Sequence, residues 1–237
     1  MTYELYYWPS IQGRGEFVRL ALEEAGADYV DVARESKKGM AAMEPLMEKG
    51  EHPPFAPPFL KDGDIIIGQT AAILFYLGGK HGLAPKNEAG RLWTHQIQLT
   101  IADFVAEAHD THHPIASGLY YEDQKKEAAR RAEDFRDNRV PKFFSWFETI
   151  LKGNPAGSKH LVGAKITYAD LSLFQIVAGL SYAFPKLTKR ALRKYPHIAA
   201  LHDAVAKRPR IEAYLKSPRR IAFNEDGIFR HYPELDA

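Results

Sequence analysis

Apolar positions follow a strand-like spacing early in the chain and a helical spacing later, and the change falls near residue 80. Tyr3 to Trp8 is dense in aromatic residues and predicts a strand, followed by a turn over Pro9 to Gly13. From Arg14 to Ala25, Phe17, Leu20, Ala21 and Ala25 share one face while Glu16, Arg19 and Glu23 mark the other. This is a helix, with Gly26 as its stop. Tyr29 to Ala33 predicts a second strand, and Ser36 to Gly50 is weakly helical, anchored by Met40, Met43, Leu46 and Met47. Phe59 to Lys61 and Ile65 to Ile67 flank Asp62-Gly63, a dipeptide that suits a tight hairpin turn. A helix from Thr70 to Gly78 completes a β-α-β-α-β-β-α order.

Beyond the Gly78-Gly79 break, strand signals fade. Arg91 to about Ser117 carries Trp93, Ile97, Ile101, Phe104, Val105 and Ala108 at helical spacing, and Asp123 to Leu151 carries a second long helical pattern. Leu171, Leu173, Phe174, Ile176, Val177 and Leu180 surround their axis, which places that helix in the middle of a bundle. Thr167 and Asp170 precede it in capping-box spacing. Tyr195 to Lys207 is a last amphipathic helix, and the tail from Ser217 shows no period. The expected fold is thus an α/β domain over residues 1–80, then an all-helical domain over 88–237.

Composition narrows the chemistry. The 237 residues include no cysteine, which excludes disulfides, thiolate metal sites and a cysteine nucleophile; any thiol chemistry must use a ligand's sulfur. A net charge of +2 lacks the basic excess of a nucleic-acid binder. The longest uncharged apolar stretch, Leu171 to Pro185, is shorter than the roughly 18 residues of a membrane span, and the N-terminal residues lack a signal peptide's pattern. A cytoplasmic protein with no nucleic-acid or membrane partner is expected. His109, His112 and His113 lie close together within the first long helical pattern, but no HExxH motif or second ligand cluster accompanies them, so no metal is expected.

Three segments carry the remaining signal. They are Tyr6-Tyr7-Trp8-Pro9 with Gly13-Arg14, the Pro-rich Phe55-Ala56-Pro57-Pro58-Phe59 run before Asp62-Gly63, and Gln69-Thr70 at a helix start. The β-α-β-α-β-β-α order with a proline entering the third strand is the thioredoxin-like arrangement. Together with these segments, essentially the whole chain resembles the cytosolic glutathione S-transferases of the tyrosine type (mu, pi and sigma).

The resemblance implies glutathione as co-substrate, no other cofactor, and a tyrosine hydroxyl that stabilises the glutathione thiolate for attack on a small hydrophobic electrophile. Between Tyr7 and Gly13 the chain has one residue more than the mu and pi pattern, so Tyr6 and Tyr7 are both candidates, with Tyr7 favoured by the Trp-Pro that follows it. Pro58 best matches the family's cis proline. The preceding Pro57 would then offer the cysteinyl backbone only its carbonyl, whereas a cis Ala56-Pro57 bond would leave Ala56 with both groups. Arg14, Lys49, Gln69, Thr70 and Asp103 are implied glutathione contacts, Asp103 across the interface of a homodimer. Trp8, His113, Tyr120 and Phe223 are candidates for the hydrophobic-substrate pocket. A glutathione-dependent isomerase or peroxidase would keep the same glutathione contacts, and a non-enzymatic relative would be expected to have lost them.

Overall fold

The computed structural model describes residues 2–237. Strand β1 (Tyr3–Tyr6) leads through a turn into helix α1 (Gly15–Ala25), which Gly26 ends in the left-handed conformation. Strand β2 (Tyr29–Asp31) follows. It is shorter than the aromatic and β-branched run suggested, because the backbone turns at Asp31 into the one-turn helix α2 (Val32–Glu35), with the Glu35 carboxylate accepting the Asp31 N–H at 2.9 Å. The weakly helical stretch holds a 3₁₀ turn at Gly39–Ala42 and the short helix α3 (Glu44–Glu48). Strands β3 (Phe59–Asp62) and β4 (Ile65–Gly68) form the hairpin, and helix α4 (Thr70–His81) closes the unit.

The sheet order is β2-β1-β3-β4, with β1 and β2 parallel and β3 antiparallel to both β1 and β4. Side chains alternate across it. Leu5 and Leu60 enter the main core with Phe17, Leu20 and Leu74, whereas Tyr6 and Phe59 form a smaller cluster with Val32 and Met43 on the opposite face.

Helix α4 does not stop at Gly78-Gly79. A side-chain carbon at Gly78 would lie 2.6 Å from the Tyr168 ring, so this glycine permits close approach to the helical half, and Gly82 (φ 68°) ends the helix instead.

Helix α5 (Glu88–Asp110) ends seven residues before the expected limit. The Thr111 hydroxyl turns back onto the Ala108 carbonyl at 2.7 Å, so His112 and His113 lie beyond the helix. The second helical pattern comprises α6 (Lys125–Asp134), a π turn at Phe135–Arg139 and α7 (Val140–Gly153). Pro141 cannot donate a backbone hydrogen bond to the preceding turn, which accounts for the widening there. Helix α8 (Tyr168–Ala183) is buried on almost every side, as its apolar circumference requires. Its capping box forms: Asp170 accepts the Thr167 N–H at 2.7 Å and the Thr167 hydroxyl at 2.8 Å.

Helices α9 (Pro185–Lys194), α10 (Pro196–Ala206) and α11 (Pro209–Leu215) each begin at a proline. Of these, α9 and α11 have no counterpart in the sequence expectation. The tail returns across the molecule to a 3₁₀ turn at Pro233–Leu235, and its Asp236 carboxylate caps α9 by accepting the Lys186 N–H at 2.7 Å.

Candidate functional site

Strand register brings the three motifs together. Tyr6 pairs with Phe59 and Phe59 with Gly68, so the next residues along each chain, Tyr7, Pro58 and Gln69, stand in a row at one end of the sheet. Helices α1 and α4 both start at that end and turn the N–H ends of their first turns toward it.

Tyr7 is buried, and its hydroxyl oxygen accepts the backbone N–H of Arg14 at 2.8 Å. Any side chain at Gly13 or Gly15 would overlap the Tyr7 ring or hydroxyl, so these two glycines form its seat. Burial pushes the Tyr7 pKa up, against a smaller downward pull from the Arg14 N–H and the Arg14 and Arg19 cations. At neutral pH the hydroxyl keeps its proton, and that proton has no acceptor among the described residues. Tyr6 lies on the opposite face. It stacks on Phe59 at 4.6 Å and donates to the Glu4 carboxylate at 2.5 Å.

The Pro57-Pro58 peptide is cis, which answers the choice between the two bonds; Pro57 has a carbonyl but no N–H. Gln69 holds a positive φ of 64°, rare outside glycine, and is exposed. Thr70 opens α4, with its hydroxyl buried and unpartnered. Arg14 is exposed and lines a cleft with Phe17, Thr70, Gln98, Ala102 and Val105. Lys49 is exposed at the end of α3, and Asp103 is exposed on α5, beside Ala102.

The tail forms a wall beside this end of the sheet. Gln12 donates to the Ile221 carbonyl at 2.5 Å and Asn224 to the Ser10 carbonyl at 2.9 Å, enclosing a recess lined by Gly13, Phe223, Ile228 and Phe229. Phe223 stacks on Tyr182 at 5.0 Å. Trp8 is 38% exposed and Tyr120 79% exposed, on the loop after α5.

His109, His112 and His113 have ring centroids 4.7–5.1 Å apart. The His112 and His113 Nδ1 atoms lie 2.6 Å apart, and His112 Nε2 sits 2.8 Å from the Ile228 carbonyl. Burial pushes the His112 pKa down to about 3, with Arg230 adding to the effect. Among the described residues no group of three or more His, Asp or Glu is placed to hold a metal ion.

A further set of polar residues joins distant parts of the chain. Gln175 on α8 donates to Gln12 Oε1 at 2.8 Å, and Arg220 donates to Gln175 Oε1 at 3.0 Å and pairs with Glu16. Tyr214 donates to Glu16 at 2.7 Å. Buried Arg19 pairs with Asp31 at 2.7 Å and also donates to the Gln12 carbonyl at 3.3 Å. Together these hold the loop that presents Gly13 and Arg14 to Tyr7. Their partners lie up to 204 residues apart, and no local pattern in the sequence signals the network.

Residues 109–218 match the family model described as glutathione S-transferase, C-terminal domain. The chain has the glutathione S-transferase fold. It is 28% identical to "Glutathione S-transferase P 1" of Xenopus laevis over 92% of this chain and 93% of that protein, and 25% identical to a glutathione S-transferase of Plasmodium falciparum over 92% and 97%. Among solved structures, the pi-class glutathione S-transferase of Onchocerca volvulus superimposes with a TM-score of 0.71 at 24% identity, covering 91% of this chain and 93% of that one. The two halves of the glutathione S-transferase fold are thus the four-stranded mixed sheet with its helices and the helical bundle that follows. No helix among the described residues is long and apolar enough to cross a membrane.

Proposed function

We propose that this chain is a cytoplasmic glutathione transferase in which Tyr7 stabilises the thiolate of bound glutathione. The observation that carries this reading is the Tyr7 hydroxyl itself: it is protonated, held from behind by the Arg14 N–H, and has a proton free to donate, in line with Pro58 and Gln69.

A free thiol of pKa near 8.5 is only a few per cent ionised at pH 7. Lowering that pKa by about two units requires ~2.7 kcal/mol in favour of the thiolate, within the ~1.5–3 kcal/mol of one hydrogen bond to a charged group. The N-terminal ends of α1 and α4 add positive potential. The sulfur then attacks an electrophilic carbon, the new C–S bond forms, and any leaving group departs with its electron pair. Glutathione is the co-substrate, and no other cofactor enters the proposal.

Arg14, Gln69, Thr70 and the Pro57 carbonyl are assigned to glutathione, with Lys49 directed at its glycyl carboxylate. Trp8, His113, Tyr120 and Phe223 border the place for a small hydrophobic electrophile. A homodimer is part of the proposal. Phe55, Leu92 and Leu99 are 94%, 58% and 48% exposed, apolar side chains that a second copy would cover, and Asp103 would reach the partner's glutathione from α5.

The test is conjugation of glutathione to 1-chloro-2,4-dinitrobenzene by wild type, Tyr7→Phe and Tyr6→Phe. Tyr7→Phe is expected to lose on the order of a hundredfold in kcat/KM at neutral pH, the rate equivalent of about 2.7 kcal/mol, while Tyr6→Phe retains most activity. Full activity in Tyr7→Phe refutes the assignment.

A further inference from the structure

Helix α9 carries five cations and no carboxylate. Lys186, Lys189, Arg190, Arg193 and Lys194 recur at i, i+3, i+4, i+7 and i+8, the spacing that puts side chains on one stripe of a helix, and all five are exposed. The opposite side of the helix is fixed. Leu187 and Thr188 are buried, Ala191 and Leu192 pack against the core, and α9 lies on α8 and α10. Both ends are held as well: Asp236 accepts the Lys186 and Leu187 N–H groups at 2.7 and 3.1 Å, and beyond the last turn the Tyr195 hydroxyl donates to the Pro141 carbonyl at 3.2 Å. The cations therefore stand on a rigid ridge about 12 Å long.

Nothing within the chain balances them. Arg19, Arg131, Arg139, Arg208, Arg219 and Arg220 each pair with a carboxylate, whereas none of the five on α9 forms an ion pair among the described residues. Like charges three and four residues apart repel, and Lys186 sits in the first turn, where the helix already presents positive potential. Only Arg193 and Lys194, in the last turn, are placed to favour the helix. A partner that supplies negative charge relieves this repulsion. Taking the five from the chain's 32 Lys and Arg leaves fewer cations than its 30 Asp and Glu, so positive charge is concentrated on this face and the rest of the molecule is net negative.

The form of the ridge selects the partner. A single convex helix offers no groove to close around an extended strand, and no aromatic side chain stands in the stripe to stack on bases. A polyanion that wrapped the molecule would meet its net negative remainder. A plane of phosphates touches the ridge alone. Because α9 turns its apolar side inward, attachment is by charge and nothing inserts among acyl chains.

We propose that the basic face of α9 docks the protein reversibly on a membrane surface rich in anionic phospholipid. This is peripheral attachment and needs no spanning helix. It goes beyond the glutathione reading and does not depend on it.

The experiment is co-sedimentation with vesicles of phosphatidylcholine alone and of equal parts phosphatidylcholine and phosphatidylserine. Wild type is expected to bind the mixed vesicles at about 0.1 M salt, to be released at about 0.5 M, and not to bind phosphatidylcholine alone. Each Lys or Arg near an anionic surface corresponds to about fivefold in partitioning, so the triple variant Lys189→Gln, Arg190→Gln and Arg193→Gln is expected to bind on the order of a hundredfold more weakly. Its circular dichroism and its conjugation of glutathione are expected to match wild type, and the charge-preserving pair Lys189→Arg with Arg190→Lys to keep the binding. Absence of binding to the mixed vesicles, equal binding to both kinds of vesicle, or equal binding by wild type and the triple variant overturns the proposal. So does binding of a duplex oligonucleotide or of polyglutamate by the stripe with no binding of vesicles. Loss of conjugation by wild type that still binds vesicles would overturn the transferase reading alone.

Discussion

Tyr6 and Tyr7 are adjacent in sequence and opposite in surroundings, because successive side chains of a strand point to opposite faces. Tyr6 spends its hydroxyl on Glu4 and its ring on Phe59; Tyr7 is seated on two glycines with its proton free. Two aromatic residues before Trp-Pro mark the place in the sequence, and the choice between them appears only once the pleat and the helix start are fixed. His112 offers a second contrast at this scale. Buried against the tail, it releases its proton near pH 3 in the folded chain and near 6.5 in the unfolded one. The unfolded chain therefore binds more protons between those values, so this contribution to stability is full above pH 6.5 and is lost as pH falls toward 3. The loss between pH 7 and pH 4 is expected to be roughly 3 kcal/mol. Urea unfolding across that range checks it: His112→Asn should show a flatter pH dependence than wild type, and parallel curves would contradict the attribution.

At the scale of elements, local signals and long-range contacts divide the work. The capping box of α8 is written within four residues, and in the structure Asp170 also accepts the Leu161 N–H at 2.7 Å. Asp170→Ala strands these buried donors and is expected to destabilise the chain by about 3 kcal/mol, seen as a lower urea midpoint with an unchanged slope. An unchanged midpoint would show that the box does little for stability. The hairpin, α1, the buried α8 and the switch from a mixed sheet to helices were legible because each is set by local periodicity and turn residues. The end of α5 at Asp110, the continuation of α4 through Gly78-Gly79 and the helices α9 and α11 were not. Thr111 turning onto Ala108 and Gly78 admitting the Tyr168 ring are three-dimensional events, and the basic α9 stays folded with Asp236 of the tail on its first turn. Likewise the candidate residues Tyr7, Arg14, Pro58, Gln69 and Thr70 could be picked out by their order along the chain, whereas the Gln12, Gln175 and Arg220 network has no local signature.

In the whole molecule the tail acts as a strap, fixed at Ser10 and Gln12 beside the sheet and at the first turn of α9 in the helical bundle. It joins the loop that carries Arg14 to the helical bundle, so the surroundings of Tyr7 depend on both halves of the fold. With Leu92 and Leu99 exposed on α5, sedimentation is expected to give a dimer, and the double substitution Leu92→Glu with Leu99→Glu a monomer; a wild-type monomer would contradict the proposed assembly. The central claim is that a hydrogen bond from Tyr7 lowers the pKa of glutathione's thiol, and the most direct measurement is a pH titration of the bound thiolate by its ultraviolet absorbance in wild type and Tyr7→Phe. The account predicts a wild-type midpoint about two units below the ordinary thiol value near 8.5, and a return toward that value in Tyr7→Phe. The same midpoint in both proteins would contradict it.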